Sequence, residues 1–152
     1  MSIRQAKGAD LSEIQNCAIE AYTKYVQRIG KAPAPMVADF ATQIDRQQVW
    51  VAEHDNCIVG YIVFYPLSDS MHLENVAVLN RYAGQGIGRQ LIAYAESEAR
   101  RLNLVAVELY TNLKMTENIA YYPKLGYDET DRREQDGFSR VYYRKPMSSE
   151  QV

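Results

Sequence analysis

Apolar residues in the first third of the chain recur with the spacing of an amphipathic helix. After a short predicted strand over residues 2–6, Asp10-Leu11-Ser12-Glu13 has the pattern of a helix start. The apolar positions that follow lie three or four residues apart and end near Gly30: Leu11, Ile14, Cys17, Ala18, Ala21, Tyr22, Tyr25, Val26 and Ile29. The prolines of Ala32-Pro33-Ala34-Pro35 predict a loop, and residues 36–46 a second short helix.

From Val49 onward the pattern becomes that of strands. Residues 49–53 and 58–65 are predicted strands joined through Asp55-Asn56, and residues 71–79 form the next one. A glycine-rich turn then leads into a helix that reaches about residue 102. Its apolar residues are expected to face inward: Ile87, Leu91, Ile92, Ala95, Ala99 and Leu102. A strand over 104–110 follows, and then a helix that begins near residue 116 and ends at Pro123-Lys124-Leu125-Gly126, with Pro123 expected to kink or end it at Tyr122. Strands over 127–134 and 138–145 come last.

This order of elements predicts an α/β fold of the α+β type, with a mixed sheet of about seven strands and with four helices. The stretch from Met71 to Tyr110 is strand–helix–strand, so its two strands should form a right-handed parallel pair, with the rest of the sheet antiparallel. A chain of 152 residues fits a single core. We therefore expect one domain over residues 1–147 and a frayed tail at 148–152.

Composition and charge exclude several classes of protein. A net charge of −2 argues against a nucleic-acid partner. The sequence shows neither a membrane-spanning apolar run nor a signal peptide, which favours a cytoplasmic protein with no membrane partner. Cys17 and Cys57 are expected to be free thiols. With His54 and His72 they are too few for a dedicated zinc site, so no metal is expected.

The glycine-rich turn, residues 81–89, is the first candidate for chemistry. Glycines at 84, 86 and 88 let the backbone turn tightly, and with the free amides of the following helix they suit a pyrophosphate. A plain strand-to-helix turn is the alternative interpretation. The turn lacks the Lys-Ser/Thr of a Walker loop, and Arg89 or Leu91 stands where a dinucleotide fingerprint needs a small residue.

The turn resembles instead the Gln/Arg-x-x-Gly-x-Gly/Ala signature of the GNAT N-acetyltransferase superfamily, in its small single-domain bacterial form. Gly86 and Gly88 occupy the two small positions, and Ala83 stands where the family usually has arginine or glutamine. Residues 118–127 match the family's helix ending in Tyr-x-x-Leu-Gly-Phe/Tyr, and the element order is also similar. The resemblance implies a GNAT-type acyl-CoA N-acyltransferase fold, whose central parallel pair of strands is splayed.

The resemblance also implies a site for acetyl-CoA, used as a co-substrate. Backbone groups of the strand before the turn would bind the pantetheine arm, and a bulge near Val76 would aim an N–H at the thioester oxygen. An asparagine would also contact that arm; Met115 stands where the family often has one, and Asn112 and Asn118 are the open alternatives. The implied cofactor-binding residues are Val76, Ala77, Val78, Ala83, Gly84, Gln85, Gly86, Ile87, Gly88, Arg89, Asn112 and Asn118.

Three residues are candidates for proton transfer. By the resemblance, Tyr122 protonates the departing thiolate, although a packing role is open and Tyr121 is expected to be the core residue. Strand alternation places His72, Glu74, Val76 and Val78 on one face. Glu74 is the first candidate for the base and His72 an alternate or relay partner; a structural carboxylate–imidazole pair is the other interpretation.

The resemblance places the acceptor beside Tyr22, Tyr25 and Arg28, a lining that would suit a small amine carrying a carboxylate; the same tyrosines could also simply pack. The predicted function is direct transfer of acetyl from acetyl-CoA to a primary amine of a small molecule, amino acid or peptide. A non-catalytic acyl-CoA-binding sensor is the alternative, and a nucleotide-binding regulatory domain is disfavoured by the failed fingerprints. Family members are often dimers, so a homodimer is possible.

Overall fold

The computed structural model describes residues 1–147, and the predicted frayed tail at 148–152 lies outside the described residues. Its strands are β1 Ser2–Gln5, β2 Val49–His54, β3 Cys57–Leu67, β4 Ser70–Val78, β5 Ala106–Asn112, β6 Asp128–Gln135 and β7 Phe138–Pro146. Its α-helices are α1 Leu11–Ile29, α2 Phe40–Asp45, α3 Ile87–Arg101 and α4 Thr116–Lys124. Short 3₁₀ segments cover Gly8–Asp10, Ala34–Val37 and Asn80–Tyr82.

The strands form a seven-stranded mixed sheet in the order β1-β2-β3-β4-β5-β7-β6. Strands β4 and β5 are parallel, with Met71 opposite Val107 and His72 opposite Glu108. The pairs β1–β2, β2–β3, β5–β7 and β6–β7 are antiparallel. The predicted α/β class, with about seven strands, four helices and a parallel β4–β5 pair, is confirmed.

The chain divides into two compact units. The first comprises Met1–Tyr65 and Glu74–Tyr94, and the second comprises Pro66–Leu73 and the described residues from Ala95 onward. Fully buried side chains of the first unit include Ile14, Phe40, Val51, Tyr61 and Leu91. Those of the second include Met71, Val107 and Tyr127. Each unit therefore has apolar side chains of its own in its interior, and a single domain over 1–147 stays a prediction.

The second predicted helix is shorter than its sequence pattern indicates. Residues Ala34–Val37 form a 3₁₀ segment, and Ala38 returns to an extended backbone with φ −61° and ψ 153°. Asp39 then caps α2, because its side chain accepts a hydrogen bond from the backbone N–H of Thr42 at 3.2 Å. The prediction of one helix over 36–46 is wrong, since the cap at Asp39 starts a new helix.

Leu102 differs from its predicted inward position. Helix α3 ends at Arg101, close to the predicted end near residue 102, and Leu102 is 42% exposed. Asn103 then has a left-handed backbone with φ 58°. Helix α4 ends at Lys124, within the predicted end Pro123-Lys124-Leu125-Gly126, and Pro123 lies inside the helix rather than ending it at Tyr122. Proline has no backbone N–H, so the helix loses one hydrogen bond at this position.

Candidate functional site

The glycine-rich turn of the first unit joins β4 to α3 through a backbone that favours glycine. Gly84 and Gly86 have φ of +78° and +83°, a left-handed conformation that side chains with a Cβ rarely adopt. A Cβ placed on either glycine would meet nothing within 4 Å. Both glycines are exposed, so the turn presents its backbone to open space.

The turn also concentrates unused hydrogen-bond donors. Ala83 N–H donates to the carbonyl of Asn80 at 3.1 Å, and the next backbone donor bonded along this stretch is Gln90, which reaches Gly86 O at 3.0 Å. Within residues 1–147, the backbone N–H groups of 84–89 have no acceptor. Six successive donors at the start of a fifteen-residue helix form a site suited to an anionic oxygen cluster. The backbone N–H of Ala83 is already bonded to Asn80 O, so it is not one of these donors.

The carboxyl half of β4 departs from the predicted alternation. Glu74 Oε1 accepts from the Tyr65 hydroxyl at 3.0 Å, and the next residue, Asn75, accepts from the Tyr61 hydroxyl at 3.0 Å. Tyr61 and Tyr65 lie four residues apart on β3 and so project from the same face. Glu74 and Asn75 therefore both reach that face, as neighbouring residues do at a β-bulge.

Val78 projects from the other face of the sheet. A Cβ on Gly60 would lie 3.3 Å from Val78 Cγ2 and 3.3 Å from Leu91 Cδ1 of α3. Gly60 precedes Tyr61 and so faces away from it. The prediction that Glu74 and Val78 share a face is therefore wrong, because the break at Glu74–Asn75 inverts the pattern. A bulge was expected near Val76, and the break lies just before that residue.

Asn75 is the residue that sequence reasoning missed on β4. It is 4% exposed, and its Oδ1 accepts hydrogen bonds from the hydroxyls of Tyr22 at 2.9 Å and Tyr61 at 3.0 Å. Its Nδ2 donates to Pro35 O at 3.1 Å. Burial raises the pKa of Tyr61 well above its ordinary value, which keeps this hydroxyl a donor. The signal available in the sequence was a polar asparagine inside a predicted strand. The residues to which it is hydrogen-bonded lie in other segments of the chain.

Tyr22 links α1 to the predicted pantetheine strand. Its side chain is buried, and its hydroxyl lies 3.0 Å from Val76 O as well as 2.9 Å from Asn75 Oδ1. Tyr25, one helical turn further on, is also buried, with its ring centroid 6.3 Å from that of Tyr22. The exposed Arg28 and Lys24 each place a cationic group 5.1 Å from the Tyr25 ring. The three predicted acceptor residues are thus neighbours, but the Tyr22 hydroxyl faces β4.

Glu74 lies in a group of polar side chains. In addition to the Tyr65 hydroxyl, its carboxylate accepts from Gln43 Nε2 of α2 at 2.5 Å. The other amide atom, Gln43 Oε1, is buried and has no hydrogen-bond partner within residues 1–147. An unsatisfied buried acceptor is costly, so this oxygen favours a donor supplied from outside the chain.

In the second unit, Tyr122 belongs to a cluster of aromatic rings. It is 5% exposed, and its ring centroid lies 5.6–6.0 Å from those of Tyr121, Tyr127 and Tyr143. Tyr121 is less buried than Tyr122, so the expectation that Tyr121 is the core residue is wrong. The Tyr127 hydroxyl donates to Glu96 at 2.8 Å, and burial raises the pKa of Tyr127 well above its ordinary value.

The two candidate asparagines have different environments. Asn118 Nδ2 donates to Thr111 Oγ1 at 3.1 Å and lies 3.6 Å from Met115 Sδ, so this amide joins α4 to β5. Asn112 Oδ1 accepts from the backbone N–H of Lys114 at 2.9 Å, an arrangement that shapes the turn after β5. Each carboxamide thus has one polar group in a local hydrogen bond.

His72 belongs to the second unit, whereas Glu74 belongs to the first. Its ring centroid lies 6.0 Å from that of Tyr110 on β5. The structure therefore gathers Glu74, residues 76–78, the glycine turn and the α1 residues in the first unit. It gathers His72, Asn112, Asn118 and Tyr122 in the second.

Among residues 1–147, no helix has the length and apolarity to cross a bilayer. In the same part of the chain, no three His, Cys, Asp or Glu side chains are grouped as metal ligands.

The model of the acetyltransferase (GNAT) family matches residues 12–127. The chain is 38% identical over 61 residues to the aminoalkylphosphonate N-acetyltransferase of Salmonella typhimurium. That alignment covers 40% of this chain and 40% of the relative's length.

Solved structures resemble the whole fold. The ribosomal-protein-S18-alanine N-acetyltransferase of Escherichia coli has a TM-score of 0.79 at 20% identity, over 99% of this chain and 96% of its own. The PaiA N-acetyltransferase of Thermoplasma acidophilum, solved in complex with coenzyme A, has a TM-score of 0.77 at 16% identity. That match covers 95% of this chain and 98% of the other. At these identities the likeness shows the fold.

Proposed function

Because the chain belongs to the acetyltransferase (GNAT) family, we propose that it is an acetyl-CoA-dependent N-acetyltransferase that transfers acetyl directly to a primary amine. The observation that carries the proposal is the run of backbone N–H groups at 84–89 that have no acceptor within residues 1–147, with Gly84 and Gly86 facing open space. Diphosphate oxygens are the ligands that such a set of donors prefers. The coenzyme A in the Thermoplasma structure supports this choice of donor substrate.

The turn fits coenzyme A because its glycines leave room where side chains would block the amides. A Cβ at Gly84 or Gly86 would project into that room. Arg89 is exposed on the first turn of α3 and adds a positive charge. Residues 76–78 of β4 lead into the turn and would hold the pantetheine arm through their backbone groups.

Two side chains would move the protons. Acetyl-CoA supplies an acetyl thioester, whose C–S bond breaks as the amine nitrogen bonds to the carbonyl carbon. Glu74 would take the proton that the amine loses, and Tyr122 would give its hydroxyl proton to the departing sulfur. Gln43 Oε1, next to Glu74, would accept a hydrogen bond from the amine. His72 is the alternate base.

The acceptor is a small molecule or a peptide that carries a primary amine. The name of the Salmonella relative supports a small aminoalkyl acid, and the name of the Escherichia coli structure describes a protein substrate. The two free cysteines of the chain fit the cytoplasm, where thiols stay reduced. A homodimer stays a prediction.

Calorimetric titration of acetyl-CoA into the folded protein tests the donor site. We expect saturable binding that weakens about tenfold or more in Gly86→Ala, because the left-handed backbone is strained by a Cβ and the new methyl faces the amides. Gly30→Ala is the matched control, since Gly30 also has a left-handed φ of +89° but ends α1. Absence of measurable binding to the folded wild-type protein would end the proposal.

Acetyl transfer itself is tested by following acetyl-CoA consumption with amino acids, polyamines, aminoglycosides and peptides. Turnover with any of these amines supports the enzyme. Binding of acetyl-CoA without consumption in the presence of every amine would favour the sensor instead.

A further inference from the structure

The guanidinium of Arg140, on β7, is buried and has no close ion-pair partner within the described residues 1–147. Its side chain is 8% exposed, and within residues 1–147 the guanidinium makes no hydrogen bond. Its ion-pair partner is Asp136 at 3.8 Å, a side chain that is itself 76% exposed. A guanidinium carries five N–H donors, and burying it without acceptors costs free energy. An anion from outside the chain would satisfy these donors.

Aromatic rings hold the Arg140 guanidinium in place. Its Cζ lies 4.3 Å from the centroid of the Tyr110 ring and 5.7 Å from that of Phe138. Contact with aromatic rings restrains the guanidinium but satisfies none of its hydrogen-bond donors. The side chain is therefore oriented in advance, which lowers the entropic cost of binding a carboxylate or phosphonate.

The other arginines beside Arg140 are already paired. Arg132, Arg133 and Arg140 line a groove at the β6–β7 hairpin together with Leu113, Glu134, Ser139 and Val141. Glu134, the carboxylate of this lining, accepts a hydrogen bond from the Ser139 hydroxyl at 3.4 Å. Arg132 is bound to Glu129 at 3.0 Å, and Arg133 to Asp131 at 3.0 Å. Arg140 is thus the cation in this groove whose charge is least compensated.

A row of rings connects Arg140 to the strand of the candidate base. Arg140 stacks on Tyr110, and the Tyr110 ring lies 6.0 Å from that of His72 on β4. Tyr142, which pairs with Tyr110 across the sheet, lies 5.5 Å from it. This face of the second unit therefore has the Arg140 cation at one end and His72, the alternate base, at the other.

We propose that Arg140 binds the anionic group of the acceptor, so that the substrates are small amines carrying a carboxylate or a phosphonate. This inference rests on the proposed function, because the bound molecule is taken to be the amine that accepts the acetyl group. Arg140 selects the substrate and takes no part in proton transfer. The amine end of the same molecule then lies along the row of rings toward β4.

Direct binding tests the proposal independently of turnover. Protein saturated with coenzyme A is titrated calorimetrically with 2-aminoethylphosphonate, β-alanine and the uncharged propylamine. We expect both acids to bind at least tenfold more tightly than propylamine. Arg140→Met should reduce their affinity by about tenfold to a hundredfold, and leave propylamine unchanged. Comparison of the two acids identifies which anionic group is preferred.

Controls separate this proposal from the donor site. Arg140→Lys should restore part of the acid affinity, because it keeps the charge but loses the planar fork. Arg101→Met removes an arginine that is paired with Glu98 on α3, and should change nothing. Acetyl-CoA affinity should be equal in all these variants; its absence in the wild type would instead overturn the proposed function. Equal affinity of wild type for acids and propylamine, or an unaltered preference in Arg140→Met, would overturn the role of Arg140.

In turnover assays Arg140→Met should raise KM for the acids and leave kcat nearly unchanged. A fall in kcat alone would contradict a binding role.

Discussion

At the scale of the residue, Tyr122 combines burial with a hydroxyl group that the proposed chemistry needs. The aromatic rings of Tyr121, Tyr127 and Tyr143 surround it and fix its direction. Packing alone would explain the ring but would make the hydroxyl dispensable. Substituting this one atom therefore separates the two interpretations.

We expect Tyr122→Phe to lower kcat by about 10²–10⁴-fold, because the departing thiolate loses its proton donor. The dissociation constant for acetyl-CoA should stay within about twofold, since the ring still packs. The rate of release of the coenzyme A thiol measures kcat, and calorimetry measures the dissociation constant for acetyl-CoA. Tyr121→Phe, at the half-buried neighbour, is the control and should keep full turnover. Full turnover in Tyr122→Phe would leave the tyrosine a packing role.

Asn75 is a second single-residue determinant, because three groups depend on its carboxamide. Asn75→Ala leaves the hydroxyls of Tyr22 and Tyr61 without their shared acceptor in a buried place. We expect a loss of about 2–3 kcal/mol in the free energy of unfolding. Urea denaturation checks this against Asn16→Ala, whose residue is exposed on α1. A loss equal to the control would show that these hydrogen bonds contribute nothing net.

At the scale of the element, charged side chains decide how the ends of helices and strands are held. Asp10 precedes α1, but its carboxylate does not cap that helix. It accepts instead from Arg4 of β1 at 2.8 Å and from the backbone N–H of Lys7 at 2.7 Å. The hydrogen bonds from Arg4, more than any other cause, lower the pKa of Asp10 below its usual 3.8.

This pKa gives a prediction with a definite sign. A carboxyl group whose pKa is lower in the folded state stabilises the fold above the unfolded pKa, and that contribution is lost as the pH falls through the folded pKa. We expect Asp10→Asn to lose about 1–2 kcal/mol of unfolding free energy at pH 7 and less at pH 3, which lies below the unfolded pKa. Urea denaturation at both values measures it. Asp45→Asn, at an exposed position, serves as the control; an equal loss by Asp10→Asn at both pH values would contradict the assignment.

Strand β6 shows a different use of charge. All eight of its residues, Asp128–Gln135, are exposed, and it is the last strand of the sheet. Charged side chains on an edge strand discourage pairing with another chain. The hydrophobic alternation that marks most strands is absent here, because β6 is held by its pairing with β7.

At the scale of the whole molecule, the two thiols report on folding because they differ in burial. Cys17 is fully buried in α1, and burial raises the pKa of its thiol to about 12. Cys57 is exposed at the start of β3. The native protein should thus react with iodoacetamide at Cys57 and the unfolded protein at both.

Ligand binding should slow the reaction of Cys17 through its effect on unfolding. At acetyl-CoA concentrations of about 100 times the dissociation constant, the open population falls about a hundredfold. Mass spectrometry of labelled peptides measures both rates in one sample, with Cys57 as the internal control. Equal slowing at both cysteines would point to an effect on the reagent, and no slowing at Cys17 would contradict binding to the native state.

The sequence by itself determined the features that depend on neighbouring residues. Hydrophobic spacing gave the order of helices and strands, since a helix or a strand buries its own periodic face. The glycines at 84 and 86 marked the turn, because left-handed backbone is a local property. The family motifs likewise lie within single short segments.

Only the tertiary structure decided which distant groups meet. Asn75 bonds Tyr22 from 53 residues away, and Glu74 bonds Gln43 from 31 residues away. The bulge that brings Glu74 and Asn75 to one face, and the burial of Arg140 against Tyr110, also depend on partners from other strands. Hydrogen bonds and burial join groups in space, and a periodic pattern along the chain carries no record of those pairings.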